Sequence, residues 1–241
     1  MPTPDSIARV HAYSARRLGS EERHFASRLT TIHSYPADAA HHFNVIATQR
    51  LGGGCVILVH DHLLAAIAAL EGGPADDAFD EARLRNAYGD CTIERAISAA
   101  QAYGDATDLR EPVTSGEVRE IERVDHPAFV ALREASPLVE WREGSMDQAT
   151  PPIFATLAGD AIGGAAHAVA AGDVRKIGVL THPAHRGRGH ARTAAYALAR
   201  HWTSQGAVME WQAQLSNTAS LRVRDTLGFV EMYRSIALRV I

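Results

Sequence analysis

Apolar positions in the second half of the chain follow two rhythms. From Ala191 to Trp202 they fall at 191, 194, 195, 198, 199 and 202, one face of a 3.6-residue helix, with Arg192, Thr193, Arg200 and His201 off that face. Gly206 is placed to end this helix in the left-handed conformation. A strand over 207–214 follows, then a short helix capped by Ser216 or Asn217 that ends at Leu227-Gly228-Phe229. Upstream, Glu117–Val124 alternates as a strand. Asp125 can cap a helix entered through His126-Pro127, with Phe129, Val130 and Leu132 on its apolar side. Ile153–Leu157, Ala161–Ala170 and Arg175–Thr181 read as a meander, turned at Gly159-Asp160 and Gly172-Asp173. The predicted order is β-α-(α)-β-β-β-α-β-α-β. Only Val230–Ile241 remains to close it, as one long bent strand or with a last strand supplied from elsewhere.

The first half carries weaker rhythms. Helical patterns occur near 5–30, 60–71 and 77–102. Asn44–Ala47 and Cys55–Val59 are strand-like and are separated by a turn at Gly52-Gly53-Gly54. No internal repeat or low-complexity tract is present, and Pro112 with Ser115-Gly116 reads as a connector. The expected fold class is α/β (α+β): a mixed twisted sheet flanked by helices over 116–241, with an accessory α/β domain over 1–115. That accessory domain could cover the acceptor site, mediate dimerisation, or be a diverged second copy of the fold that follows it.

Composition narrows the function classes. The 241 residues carry a net charge of -4, with a pI near 6.3. That argues against a nucleic-acid partner, which a basic face would mark. Cys55 and Cys91 form neither a disulfide framework nor a CxxC motif, so a cytoplasmic location is the expectation. The longest apolar run, Leu63 to Leu70, is far short of the roughly 20 residues of a membrane span, and no signal-peptide core opens the chain. A soluble protein with no membrane partner is expected.

The chemistry concentrates in Val179-Leu180-Thr181-His182-Pro183-Ala184-His185-Arg186-Gly187-Arg188-Gly189-His190-Ala191. A strand runs into a glycine- and arginine-bearing loop, and the loop opens a helix. Helix-terminal N–H groups and the helix dipole attract anions, and glycine lets the backbone approach a phosphate. A Walker Lys-Ser/Thr pair and a G-x-G-x-x-G after a strand are both absent, so nucleotide loops of those types are excluded.

These residues resemble the Gcn5-related N-acetyltransferase (GNAT) superfamily. Its loop pattern Q/R-x-x-G-x-G/A is matched by Arg186, Gly189 and Ala191, its Asn after the next strand by Asn217, and its Leu-Gly-Phe ending by residues 227–229. The resemblance covers residues 117–241. It implies acetyl-CoA as co-substrate, held by Arg186, Gly187, Arg188, Gly189, His190, Ala191, Arg192 and Asn217. Val179, Leu180 and Thr181 would form the strand edge that takes the pantetheine amides and polarises the thioester carbonyl. It implies transfer to a primary amine, small-molecule or protein, by direct attack, and is compatible with a homodimer. The family's usual Tyr acid position is Arg224 here, so the acid would be solvent or a residue such as Tyr233, and Arg224 could stabilise the thiolate or bind the 3′-phosphate. Base candidates are Glu210, Glu140 and Glu143, with His167 also near the site. Trp141 and Trp211 read as packing residues. His60-Asp61-His62 and His41-His42 do not reach a zinc ligand set, so no metal is expected. The alternative reading is a CoA-binding module of the same fold without turnover.

Overall fold

The computed structural model describes residues 1–35, 42–113 and 116–241. The connector at Ser115 and the histidine at 41 lie outside these residues. Packing divides the chain into two compact units that each draw on distant segments. One comprises 8–102, 213–218 and 231–241, the other 1–7, 103–212 and 219–230. A cut at 115/116 therefore does not describe the packing, because the last eleven residues belong with the first half of the chain.

The first unit holds α1 (Pro4–Arg17), α2 (Glu22–Ala26), β1 (Thr30–Tyr35), β2 (Val45–Arg50), β3 (Cys55–His60), α3 (Leu64–Ile67), α4 (Ala75–Ala78), α5 (Glu81–Ala87) and β4 (Ile93–Gly104). Its sheet runs β1-β3-β2, then the closing strand β10 (Val230–Val240), then β4. β1 is parallel to β3, and β2 is antiparallel to both β3 and β10. Alternate residues Val45, Ala47, Ile57, Val59, Ile236 and Leu238 meet Ile67, Leu84 and Tyr88 in one core. The glycine turn is confirmed between β2 and β3, where Gly54 donates its N–H to Phe25 O at 2.7 Å.

Two expectations fail here. The helical pattern of 5–30 ends at Ala26, and β1 follows it. The predicted helix over 77–102 is α5 followed by the twelve-residue strand β4. The alanines that favour a helix at 96–102 are instead the small residues of a strand set beside β10, and its last residues are wholly buried. Tertiary packing overrides helix propensity at this point. His60 stacks edge-on to Tyr35 at 4.3 Å and to His62 at 5.6 Å, so these rings pack on aromatic neighbours.

The second unit follows the predicted order. It contains β5 (Val118–Ile121), α6 (Pro127–Ala135), α7 (Leu138–Glu143), β6 (Ile153–Ala158), β7 (Ala161–Ala171), β8 (Val174–Thr181), α8 (His190–Thr203), β9 (Val208–Gln214) and α9 (Thr218–Thr226). The strands order as β9-β8-β7-β6-β5, antiparallel except for the parallel pair β8–β9. The cap of α6 is His126 rather than Asp125: its ring accepts from Ala128 N, while Asp125 pairs with Arg123. α6 and α7 cover one face through Phe129, Leu132 and Trp141, in one core with Ile153, Ile162 and Leu180 of the sheet. α8 packs on β6, β7 and β8. Gly206 and Gly228 both adopt the expected positive φ, and Gly228 passes against the Asp108 carbonyl, where a Cβ would not fit.

Candidate functional site

The pairing of β8 with β9 ends early. Register runs Val174↔Val208, Arg175↔Met209 and Lys176↔Glu210, and both strands continue past it. On the opposite side β8 stays paired with β7 to Thr181. His182 N donates to Gly163 O at 2.9 Å, so residue 182 and, by alternation, Leu180 and Gly178 direct their backbone groups toward β7. Val179 and Thr181 must direct theirs the other way, toward the side where β9 has parted. A strand edge with available amide groups therefore lies directly upstream of the loop.

The loop starts as a 3-10 turn, Pro183–His185, capped by the His182 side chain at 3.2 Å from Ala184 N. Gly187 and Gly189 both have positive φ, 74° and 85°. A Cβ on Gly187 would meet nothing within 4 Å, so the backbone there is open. Gly189 is the N-cap of α8, and no side chain caps the helix. The fourteen-residue helix thus opens on a glycine, which has no side chain to cap it, next to Arg186, Arg188 and Arg192. This cradle fits a pyrophosphate.

What holds the cradle is a close contact of α8 with β7. His190 is only 6% exposed, and its ring lies over Gly163, with Nδ1 3.1 Å from Thr156 Oγ1. The neighbouring Gly164 faces the backbone of Ala191. The His190 ring thus lies between the sheet and the loop, edge-on to His185 at 5.9 Å, and the buried stripe of α8 is rotated to include His190 and Thr193 beside Ala194, Ala195, Leu198 and Ala199. Arg192 Nη2 donates to Val113 O at 3.1 Å. Arg186 pairs with Glu140 of α7. Asn217 is exposed just before α9 and belongs to the first unit by packing.

The catalytic candidates are enclosed. Glu210, at the last β8–β9 pair, is 0% exposed, and Tyr103 Oη donates to its Oε1 at 3.2 Å. Arg224 is 8% exposed, with Nε donating to Asp225 Oδ1 at 2.8 Å. His167 is wholly buried under α7. Its Nε2 lies 2.8 Å from Ser145 O, and burial lowers its pKa. It faces Gly178, where any Cβ would strike the imidazole, so His167 pins the loop after α7 to the sheet. Tyr233 lies in the core of the first unit, edge-on to Phe25 and 2.6 Å from His11 Nδ1, and burial pushes its hydroxyl up to about 12. A hydroxyl held so is a poor acid at neutral pH. Trp141 packs on Phe129 and Trp211 on Phe229, as expected of packing residues.

Sequence reasoning missed the seating of α8 and the Tyr103–Glu210 pair. The first had a signal: paired glycines inside a strand pattern mark a close backbone approach. The second had none, because Tyr103 directly follows a segment read as helix. Among the described residues no group of three or more His, Cys, Asp or Glu could hold a metal ion, and no helix is long and apolar enough to cross a membrane.

Comparison with known proteins agrees with this geometry. Residues 154–237 match the sequence model of the GNAT acetyltransferase family, a stretch from β6 to late β10 that contains the loop and the splayed strands. Among solved structures, a GCN5-related N-acetyltransferase from Sphaerobacter thermophilus superposes with a TM-score of 0.51 at 16% identity, covering 70% of this chain and 57% of that one. An acetyltransferase of the GNAT family from Colwellia psychrerythraea gives a TM-score of 0.48 at 16% identity, covering 68% and 63%. A putative acetyltransferase of that family from Novosphingobium aromaticivorans gives 0.43 at 20% identity, covering 62% and 67%. The chain thus spans 57% to 67% of the length of these structures. No protein of curated function matches its sequence. Over residues 154–237 the chain is thus similar to the GNAT acetyltransferases, and its fold is like that of the Sphaerobacter structure.

Proposed function

We propose that this protein is an N-acetyltransferase that moves an acetyl group from acetyl-CoA to a primary amine. One observation carries the reading: the uncapped, glycine-opened N-terminus of α8 directly follows the unpaired edge of β8. The first is an anion cradle and the second an amide-binding edge, spaced along one continuous stretch. Acetyl-CoA supplies an acyl group already activated as a thioester.

Within that reading the residues divide the work. The amides of Gly187 to Ala191 and the guanidinium groups of Arg186, Arg188 and Arg192 hold phosphate. Val179 and Thr181 align the acyl arm, and an N–H of that edge polarises the carbonyl; Leu180, expected to share this role, turns its backbone groups to β7 instead. The ammonium first gives one proton to a base, the free amine nitrogen attacks the carbonyl carbon, the C–N bond forms as the C–S bond breaks, and a second N–H proton is lost as the thiolate gains one. Positioning accounts for most of the rate in such a ternary reaction. Glu210 enters the reading as a proton acceptor reached through Tyr103, and Arg224 as a fixed charge on α9. Their enclosure favours the second reading, a CoA-binding module without turnover. Thiol release from acetyl-CoA, followed across a panel of primary amines, separates the two. Amine-dependent release that falls at least ten-fold in Glu210→Gln supports catalysis with that base. CoA binding without release from any amine supports the module.

A further inference from the structure

Arg186 opens the phosphate loop, and it is already engaged: its guanidinium pairs with the carboxylate of Glu140, 46 positions away on α7. α7 is not free to carry that carboxylate elsewhere. Trp141, the next residue, is buried against Phe129 at 5.5 Å with Arg133 over its ring at 5.1 Å. One turn on, Gly144 N donates to Glu140 O at 2.8 Å. Gly144 itself passes so close to Val179 O that a Cβ would stand 2.7 Å away. The Ser145 carbonyl is then tied to His167. Glu140 is therefore fixed between the two halves of the site, the phosphate loop and the edge of β8.

We propose that Glu140 is an acceptor-binding residue released by the cofactor. In the free protein its carboxylate occupies Arg186. On binding, Arg186 exchanges that carboxylate for phosphate. Glu140 is left beside the acyl-binding edge without its counter-ion, and it then receives the ammonium group of the acceptor. The proposal rests on the acyl-CoA reading above. It dictates an order, cofactor before amine, because the amine site is masked until Arg186 changes partner. The pair is partly exposed, so the competition it exerts on cofactor binding is modest, about two- to five-fold in Kd.

The test measures binding rather than turnover. CoA is titrated calorimetrically into the wild type, Glu140→Gln, Arg186→Gln and the double variant. Glu140→Gln is expected to tighten CoA about two- to five-fold and to have no effect in the Arg186→Gln background. Unchanged or weaker CoA binding in Glu140→Gln overturns the exchange and leaves the acyl-CoA reading standing. A wild type that binds no CoA overturns both. The acceptor role is read by ligand-observed NMR with n-butylammonium as probe. Binding is expected to the CoA complex of the wild type, and to neither the free protein nor the CoA complex of Glu140→Gln. Equal binding with and without CoA, no binding to the wild-type complex, or binding retained in Glu140→Gln overturns it.

Discussion

A single methyl group on Gly163 tests how α8 is seated. An ideal Cβ there lies 2.6–2.7 Å from Nδ1, Cε1 and Cγ of His190, against a normal carbon–carbon separation of about 3.5 Å or more. The ring has little room to yield, since it is buried and its Nδ1 is 3.1 Å from Thr156 Oγ1. Overpacking of this kind destabilises by roughly 1–3 kcal/mol. His190→Ala alone loses a buried ring but leaves Thr156 Oγ1 its contacts with Gly164 O and His190 O, at 3.3 and 3.4 Å. In the double variant the new methyl enters the space the ring vacated, so the two changes should fall short of additivity by about 1 kcal/mol or more. Trp141, Trp202 and Trp211 all lie in the unit that contains α8, so tryptophan fluorescence in urea follows that unit. Additivity within about 0.3 kcal/mol would refute the seating of His190 on Gly163.

Other outcomes follow from the same structure. Burial holds the His167 pKa below its ordinary 6.5, so the unfolded chain takes up that proton more readily. The contribution is intact above 6.5 and is lost as pH falls from there toward the lowered folded value. The fluorescence-monitored urea midpoint should therefore drop between about pH 8 and 5, and drop less in His167→Gln; equal drops would contradict the assignment. Burial pushes the Cys55 thiol up to about 12 while Cys91 is exposed, so a maleimide should label one thiol in the folded protein and two in urea, as mass spectrometry would show. The enclosure of Arg224 leaves little of its head for a phosphate, so Arg224→Ala should keep calorimetric CoA affinity within about two-fold. A ten-fold loss would restore the phosphate role.

The second half of the chain was legible because its local signals agree with its tertiary role. The stripe from Ala194 to Ala199, the turn glycines and the alternation of the meander each specify one structure, and the structure keeps them. The loop was legible because glycine at 187 and 189 is a backbone requirement, visible without coordinates. What could not be read was set by contacts distant in sequence. The alanines of β4 carry helix propensity, and only the strand beside them decides their conformation. Tyr233 looked available as an acid because nothing local reveals that His11 and Phe25 enclose it. Glu140 and Arg186 were each singled out, but their pairing depends on how α7 is pinned by Gly144 and His167. Carboxylates and hydroxyl groups take their chemistry from burial, and burial is not local.

The central claim is that the N-terminus of α8 is a phosphate cradle. Calorimetric titration with CoA of the wild type and of Gly189→Val tests it most directly. Valine at the N-cap would face a positive φ of 85° that a β-branched residue resists, and would place bulk where phosphate must approach. The account predicts binding on the order of micromolar for the wild type and its loss in a variant whose far-ultraviolet spectrum is unchanged. Equal affinity in the two proteins, or no affinity in a folded wild type, would contradict it.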